Sequence, residues 1–115
     1  MKSIWIGLAG ALLLTVVAFG AQNARKQADV ERQLRAARNT ELVDGDFKAA
    51  IKQYEKVVNS GIRPLAAEAL LRMAECYRQL GDAEAQKMYL RIVQEFGDQT
   101  DAVTTARASW QVRTL

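Results

Sequence analysis

Two stretches of this sequence repeat each other, and this repetition limits the possible folds more than any other feature. GDFKAAIKQYEKVV, from Gly45 to Val58, returns as GDAEAQKMYLRIV, from Gly81 to Val93. The alanine and tyrosine positions recur after 35 residues and the glycines after 36, because the second copy is one residue shorter. Periods of about 20 to 50 residues are typical of stacked supersecondary units. The sequence therefore predicts two copies of one small unit in series.

Each copy carries apolar residues at the spacing i, i+3, i+4 and i+7, which predicts an amphipathic helix. Another helical pattern precedes each copy across its Gly-Asp turn. The pattern before Gly81 has a strong stripe, which consists of Ala66, Ala69, Leu70, Met73, Tyr77 and Leu80. The pattern before Gly45 has a thinner stripe, which consists of Val30, Leu34, Ala37 and Leu42. We therefore expect a helix, a tight turn and a second helix, used twice.

The turn residues support this unit. Gly45 and Gly81 suit the left-handed position that ends a helix, and Pro64 suits the first turn of the helix that Gly81 ends. Asp46 and Asp82 are predicted to cap the next helices with their carboxylates. The alternative is a bundle of two unrelated helical hairpins.

The pattern resembles the tetratricopeptide repeat, a helical hairpin of about 34 residues. The family positions are held by Leu70, Met73, Ala74, Tyr77, Gly81, Ala85 and Tyr89 in the second copy and by Leu34, Ala37, Gly45, Ala50 and Tyr54 in the first. The first copy departs from the family: Arg38 replaces a small residue and Glu41 the usual tyrosine, and Pro64 arrives late. The resemblance covers about residues 30–112 and implies an all-α solenoid.

The resemblance also implies the domain boundaries. We expect a helical repeat domain over residues 30–115, with repeats at about 30–62 and 64–97. A last helix at about 101–112, with Val103, Ala106 and Trp110 on one face, would be a capping helix or the first half of a third repeat. The sequence of the second copy is similar to the helical-repeat region of exported bacterial proteins.

The N-terminus has the layout of a secretory signal peptide over residues 1–20. Lys2 precedes an uncharged, mostly apolar run from Ile4 to Phe19, and small residues follow it. Residues 21–29 would be a linker or a helix extension. The alternative is an uncleaved anchor formed by residues 4–19, which is short for a bilayer. We therefore expect an exported protein, periplasmic or extracellular, which contacts a membrane only if this segment is retained.

The composition leaves little catalytic chemistry. The chain has no histidine, which removes the commonest general base and zinc ligand. Cys76, the single cysteine, is expected to be a buried structural thiol. Residues 21–115 carry a net charge of +2 with interleaved signs, which indicates neither a nucleic-acid binder nor a polybasic membrane patch. We expect no enzyme, no cofactor and no metal.

Recognition of a protein or peptide remains. The family's inner-face positions imply six candidate partner-binding residues, which are Arg35, Asn39, Arg72, Glu75, Gln79 and Arg107. Arg72 and Arg107 are 35 residues apart and are expected to stand one repeat pitch from each other. In one subclass of the family such residues clamp a C-terminal carboxylate, a role that guanidinium forks suit. The alternative is that these are solvated side chains paired with neighbours such as Glu68 or Glu75.

The sequence leaves two functions open. The first is an exported interaction module that binds a peptide or partner protein through its concave face or its open end. The second is a structural homo-oligomer or spacer with an empty groove. An uncovered end near Trp110 and Leu115 is expected in either case, because two repeats and one helix are few for a stable array. A role as an enzyme subunit has no support in the residues.

Overall fold

A computed structural model describes the backbone of residues 2–114 and the side chains of residues 20–110. This part of the chain forms five α-helices and no strand. The helices are α1 (Lys2–Leu42), α2 (Phe47–Val58), α3 (Arg63–Gln79), α4 (Glu84–Glu95) and α5 (Thr100–Thr114). The predicted all-α class is confirmed.

The helices pack in the order of a repeat array. α1 with α2 and α3 with α4 form two hairpins, while α2 and α4 also pack against the first helix of the following pair. The first helices of successive pairs contact each other, α1 with α3 and α3 with α5. α5 therefore stands where a third repeat would begin.

The predicted repeat positions form the core. Ala50, Tyr54 and Ala85 have no exposed surface, and Tyr89 keeps 3%. The alanines allow close approach of neighbouring helices, and each tyrosine fills the space one turn later. The proposed stacking through alanine and tyrosine is confirmed.

The two Gly-Asp turns differ in length by one residue, because the second copy is one residue shorter. Gly45 and Gly81 both have positive φ, at 66° and 69°, as predicted. Asp46 is the N-cap of α2, and its carboxylate accepts the Ala49 amide at 3.1 Å. Asp82 was expected to be the N-cap of α4, but Ala83 holds that position. Asp82 instead accepts the Glu84 amide at 2.9 Å, because the shorter copy starts its helix with a tighter turn.

Two stripe residues were placed wrongly. Leu42, the last residue of α1, is 66% exposed, and Glu41 occupies the buried position four residues after Ala37. Leu80 is 41% exposed because it lies at the C-cap, where α3 has already ended. The position of Pro64 in the first turn of α3 is confirmed.

Most residues to which the N-terminal predictions refer precede residue 20, where the description of side chains begins. Residues 21–29 continue α1 as an exposed stretch of helix. The signal peptide over residues 1–20 and the domain boundaries stay predictions. Among the residues whose side chains are described, no helix is both long and apolar enough to cross a membrane.

Candidate functional site

The first helices of the pairs, α1, α3 and α5, stand side by side and form a groove of about 670 Å³. Its lining includes charged, amide, hydroxyl and apolar side chains from all three helices. The main lining residues are Arg38, Glu41, Leu42, Glu68, Leu71, Arg72, Glu75, Gln79, Thr105 and Ser109, and Phe47 and Tyr89 also reach it. We call this surface the groove.

Two ion pairs cross the groove between α1 and α3. Arg38 Nη2 lies 2.7 Å from Glu68 Oε1. Arg72 holds Glu41 with two nitrogens: Nε donates to Oε1 at 3.0 Å, and Nη2 donates to Oε2. The Glu41 side chain is only 2% exposed and that of Arg72 is 27% exposed. A carboxylate so deeply buried is tolerated because it is paired and hydrogen-bonded.

Tyr54 of α2 also bonds to the buried Glu41 carboxylate. Its hydroxyl donates to Glu41 Oε1 at 2.7 Å, so one carboxylate joins α1, α2 and α3. Burial, followed by the hydrogen bond to Glu41, raises the pKa of Tyr54 well above its usual value. The hydroxyl therefore keeps its proton and acts as a donor at all physiological pH values. We call Glu41, Tyr54 and Arg72 the buried cluster.

Three of the six candidate partner-binding residues line the groove. Arg72 is half-buried, Glu75 is partly exposed and Gln79 is exposed. Glu75 accepts hydrogen bonds from Arg78 Nε at 2.9 Å and from Gln79 Nε2 at 3.2 Å. The hydrogen bond from Arg78 is the main cause that lowers the pKa of Glu75. Glu75 therefore stays charged and is already partly compensated.

The other three candidates, Arg35, Asn39 and Arg107, are exposed but do not belong to this lining. The expectation that Arg72 and Arg107 stand one repeat pitch apart is wrong. α3 begins at residue 63 and α5 at residue 100, so the counterpart of Arg72 lies two residues later, at Ser109. Ser109 does line the groove, whereas Arg107 lies near the opposite side of α5. A role of any of the six residues in binding stays a prediction.

The carboxylate-clamp role also meets an obstacle at Arg72. Two of its donor nitrogens, Nε and Nη2, are occupied by Glu41. The guanidinium charge is therefore largely compensated inside the protein, and the Nε–Nη2 edge of its fork is already taken by the Glu41 carboxylate. Glu41 was missed as a site residue. A signal existed, since Glu41 replaces the usual tyrosine of the repeat pattern, and the fold compensates this buried charge with Arg72.

A second surface lies at the open end of the array. Tyr89, Leu90 and Val93 of α4 and Ala106, Arg107 and Trp110 of α5 enclose a depression of about 210 Å³. Leu90 is 44% exposed and Trp110 is 38% exposed. We call it the end depression. It lies where the fold leaves α4 and α5 without a further helix among the described residues.

The reactive groups of the described chain are few. Cys76 is fully buried in α3, and burial is the main cause that raises the pKa of its thiol to about 12. The expectation of a buried structural thiol is confirmed. Within residues 20–110, no three metal-ligating side chains come together. The described residues offer surfaces for contact, and burial keeps the Cys76 thiol protonated.

Comparison with known proteins adds one match. No curated protein and no solved structure matches the chain significantly. Residues 68–98 match the family model of the tetratricopeptide repeat, and they run from the middle of α3 through the end of α4. This match supports a tetratricopeptide-repeat family for the segment that it covers.

Proposed function

We propose that the chain is a non-catalytic interaction module that binds a peptide or a segment of a partner protein in the groove. Tetratricopeptide repeats are in general protein-interaction modules, and the match to this family is direct support. The observation that carries the proposal is the groove itself, to which α1, α3 and α5 all contribute side chains. A surface that spans three successive helices can follow an extended ligand along its length.

The groove combines a fixed polar floor with apolar contact points. The two ion pairs hold α1 against α3, so the shape exists before a ligand arrives. Leu42 is 66% exposed beside half-buried Phe47 and Leu71. A preformed surface reduces the entropy that binding costs. We infer a ligand segment with an apolar side chain for Leu42 and Leu71 and polar groups for Glu75 and Gln79.

The proposal is tested with two matched leucine variants of the full chain. Leu42→Asp alters the groove, and Leu90→Asp alters the end depression by the same chemistry. Tagged protein captures partners from a cell-envelope extract, and the captured partner is purified and titrated. We expect Leu42→Asp to weaken its binding at least tenfold and Leu90→Asp to leave it unchanged. Equal binding by all three proteins would exclude both surfaces.

The second candidate function is self-association through the end depression. The exposed Leu90 and Trp110 favour it, because large apolar side chains that line one depression gain free energy when they are covered. In this case the oligomer is structural and the groove holds no ligand. Light scattering distinguishes the two functions. A dimer that becomes a monomer in Leu90→Asp, but not in Leu42→Asp, supports the structural role.

We also propose that the protein works in the cell envelope, exported by residues 1–20. The layout of Lys2, the apolar run and the small residues after it supports this location. N-terminal sequencing of the protein recovered from envelope fractions tests the proposal. A mature N-terminus near Ala21 supports cleavage. A start at Met1 in the membrane fraction supports the anchor over residues 4–19, and recovery from the cytoplasm contradicts export.

A further inference from the structure

The far end of the first hairpin carries a third cavity, of about 680 Å³, between α1 and the end of α2. Its lining includes three cationic side chains, Arg25, Lys26 and Lys56, together with the polar side chains of Asn59 and Ser60. The cations are separated by up to 31 positions in the sequence, and the antiparallel hairpin brings them to one place. We call this site the basal cavity.

The cations of the basal cavity are not neutralised by the protein. Among the described side chains, none of Arg25, Lys26 and Lys56 forms an ion pair. Asp29, the acidic residue of the lining, is paired with Arg32 instead. Lys48 and Lys52, at four-residue spacing from Lys56 on the exposed side of α2, are also unpaired in this set. The cavity itself is therefore lined by three cations that pair with no described carboxylate.

The second hairpin shows that this is not a general property of the fold. The corresponding outer face of α4 carries Lys87 and Arg91, and both are paired within their own helix, with Glu84 and Glu95. Among the described residues, Lys52 and Lys56 of α2 are therefore unpaired, whereas the cations at the equivalent positions of α4 are compensated. Unpaired cations that converge on one cavity favour an anionic partner.

The position of the cavity selects the class of anion. Arg25 follows Phe19, the end of the apolar run, by six residues, which is about 9 Å of helix axis. The cavity therefore borders the apolar part of the chain. Lys and Arg beside an apolar segment are attracted to anionic lipid headgroups, and each contributes about 1 kcal/mol near the surface. Phosphate groups also suit the amide donor of Asn59, whereas the Ser60 hydroxyl donates to the Val57 carbonyl at 2.6 Å.

We propose that, in the chain that retains residues 4–19, the basal cavity binds the phosphate headgroups of an anionic membrane surface and so sets the orientation of the repeat array on that surface. The α1–α2 end then lies against the headgroups. The groove and the end depression, at other parts of the molecule, stay accessible to protein partners. This orientation rests on the retention of the apolar segment, which N-terminal sequencing tests separately, and not on which protein the groove binds.

The test uses the full chain and two kinds of vesicle, one of phosphatidylcholine alone and one in which about a third of the lipid is phosphatidylglycerol. The apolar segment contributes to binding in both, so the ratio of the two partition coefficients isolates the electrostatic part. We expect the full chain to prefer the anionic vesicles at least tenfold at low salt. We expect the preference to fall steeply at about 0.5 M salt, because exposed charges are then screened.

The matched variants are Arg25→Gln/Lys26→Gln/Lys56→Gln in the basal cavity and Lys87→Gln/Arg91→Gln on α4. The first should lose the preference for anionic vesicles, and the second should keep most of it. Circular dichroism melts check that both variants fold. Equal partition of the wild type into both vesicles overturns the proposal, as does a preference that survives in the cavity variant. A cavity-dependent affinity for an oligonucleotide, without a vesicle preference, would assign the cavity to nucleic acid instead.

Discussion

The two places where first helices of successive pairs meet are built in different ways. At the α1–α3 junction, two ion pairs cross the interface, and Glu41 links Arg72 to Tyr54 in the layer below. At the α3–α5 junction, the groove positions on α5 are Thr105 and Ser109. Ser109 donates to the carbonyl of Thr105 in its own helix at 2.9 Å, so it does not link the two helices.

This difference is also visible at the tyrosines. Tyr54 and Tyr89 occupy equivalent positions, yet Tyr54 is completely buried with its hydroxyl bonded to Glu41, while Tyr89 borders both the groove and the end depression. Buried polar networks specify one arrangement when every member is satisfied. The comparison teaches that the first junction fixes the register of the array, whereas the second closes it loosely and leaves a surface free.

The largest expected effect is the removal of Arg72. Arg72→Met leaves the Glu41 carboxylate buried without its cation, so we expect the free energy of unfolding to fall by about 3–5 kcal/mol. Ser109→Ala is the matched change at the second junction, and we expect it to alter stability by less than about 1 kcal/mol. Urea denaturation of the two variants measures both values. Similar losses would mean that the junctions do not differ.

A double variant separates the pair from its surroundings. Glu41→Met/Arg72→Met replaces both charges by apolar side chains, and such replacements are often neutral or stabilising. We expect it to recover most of the loss of Arg72→Met. A double variant as unstable as the single one would show that the cluster contributes more than a compensated pair of charges.

The second prediction compares the two tyrosines. Tyr54→Phe removes a hydrogen bond to a charged acceptor and should cost about 1.5–3 kcal/mol. Tyr89→Phe removes a hydroxyl with no hydrogen-bonding side chain among the described residues, and should change stability by less than about 0.5 kcal/mol. Thermal melts of the two variants provide the measurement. An equal cost at both positions would contradict the proposed asymmetry.

The repeat architecture could be predicted because short-range sequence patterns determine it. The apolar spacing around Ala50, Tyr54, Ala85 and Tyr89 gives helices with one buried face, and Gly45 and Gly81 end the helices before them. These features depend on residues a few positions apart. They can be recognised without knowing which helices pack against each other, so the sequence alone predicts them.

The site could be predicted only in part, because its register depends on distant lengths. α4 ends two residues later than the alignment of the tyrosines implies, and this shifts α5 so that Ser109 and not Arg107 reaches the groove. The buried cluster also could not be predicted from local sequence. Glu41 and Arg72 are 31 residues apart, and neither residue alone indicates that its charge is compensated. Pairwise compensation across a junction becomes visible only when both helices are placed.

The smallest expected effect concerns the exposed ion pair beside the second junction. Arg63 at the start of α3 donates from Nε to Asp98 at 3.0 Å, and the hydrogen bond from Arg63 is the main cause that holds the pKa of Asp98 below its ordinary value. A carboxyl group whose pKa is lower in the folded state stabilises the fold above its unfolded pKa, near 4. This contribution is lost as the pH falls further toward the folded pKa.

Asp98→Asn should therefore lower the stability at pH 7 by a small amount, because exposed pairs are screened by solvent and salt, and should flatten the acid limb below about pH 4 by the same small amount. Urea denaturation at a series of pH values measures the profile. Glu95 is an exposed carboxylate of the same region that pairs with Arg91 in its own helix, so Glu95→Gln is the control. A loss at pH 7 as large as that of Arg72→Met would show that exposed and buried ion pairs hold this array equally. The difference between the two junctions would then lie elsewhere.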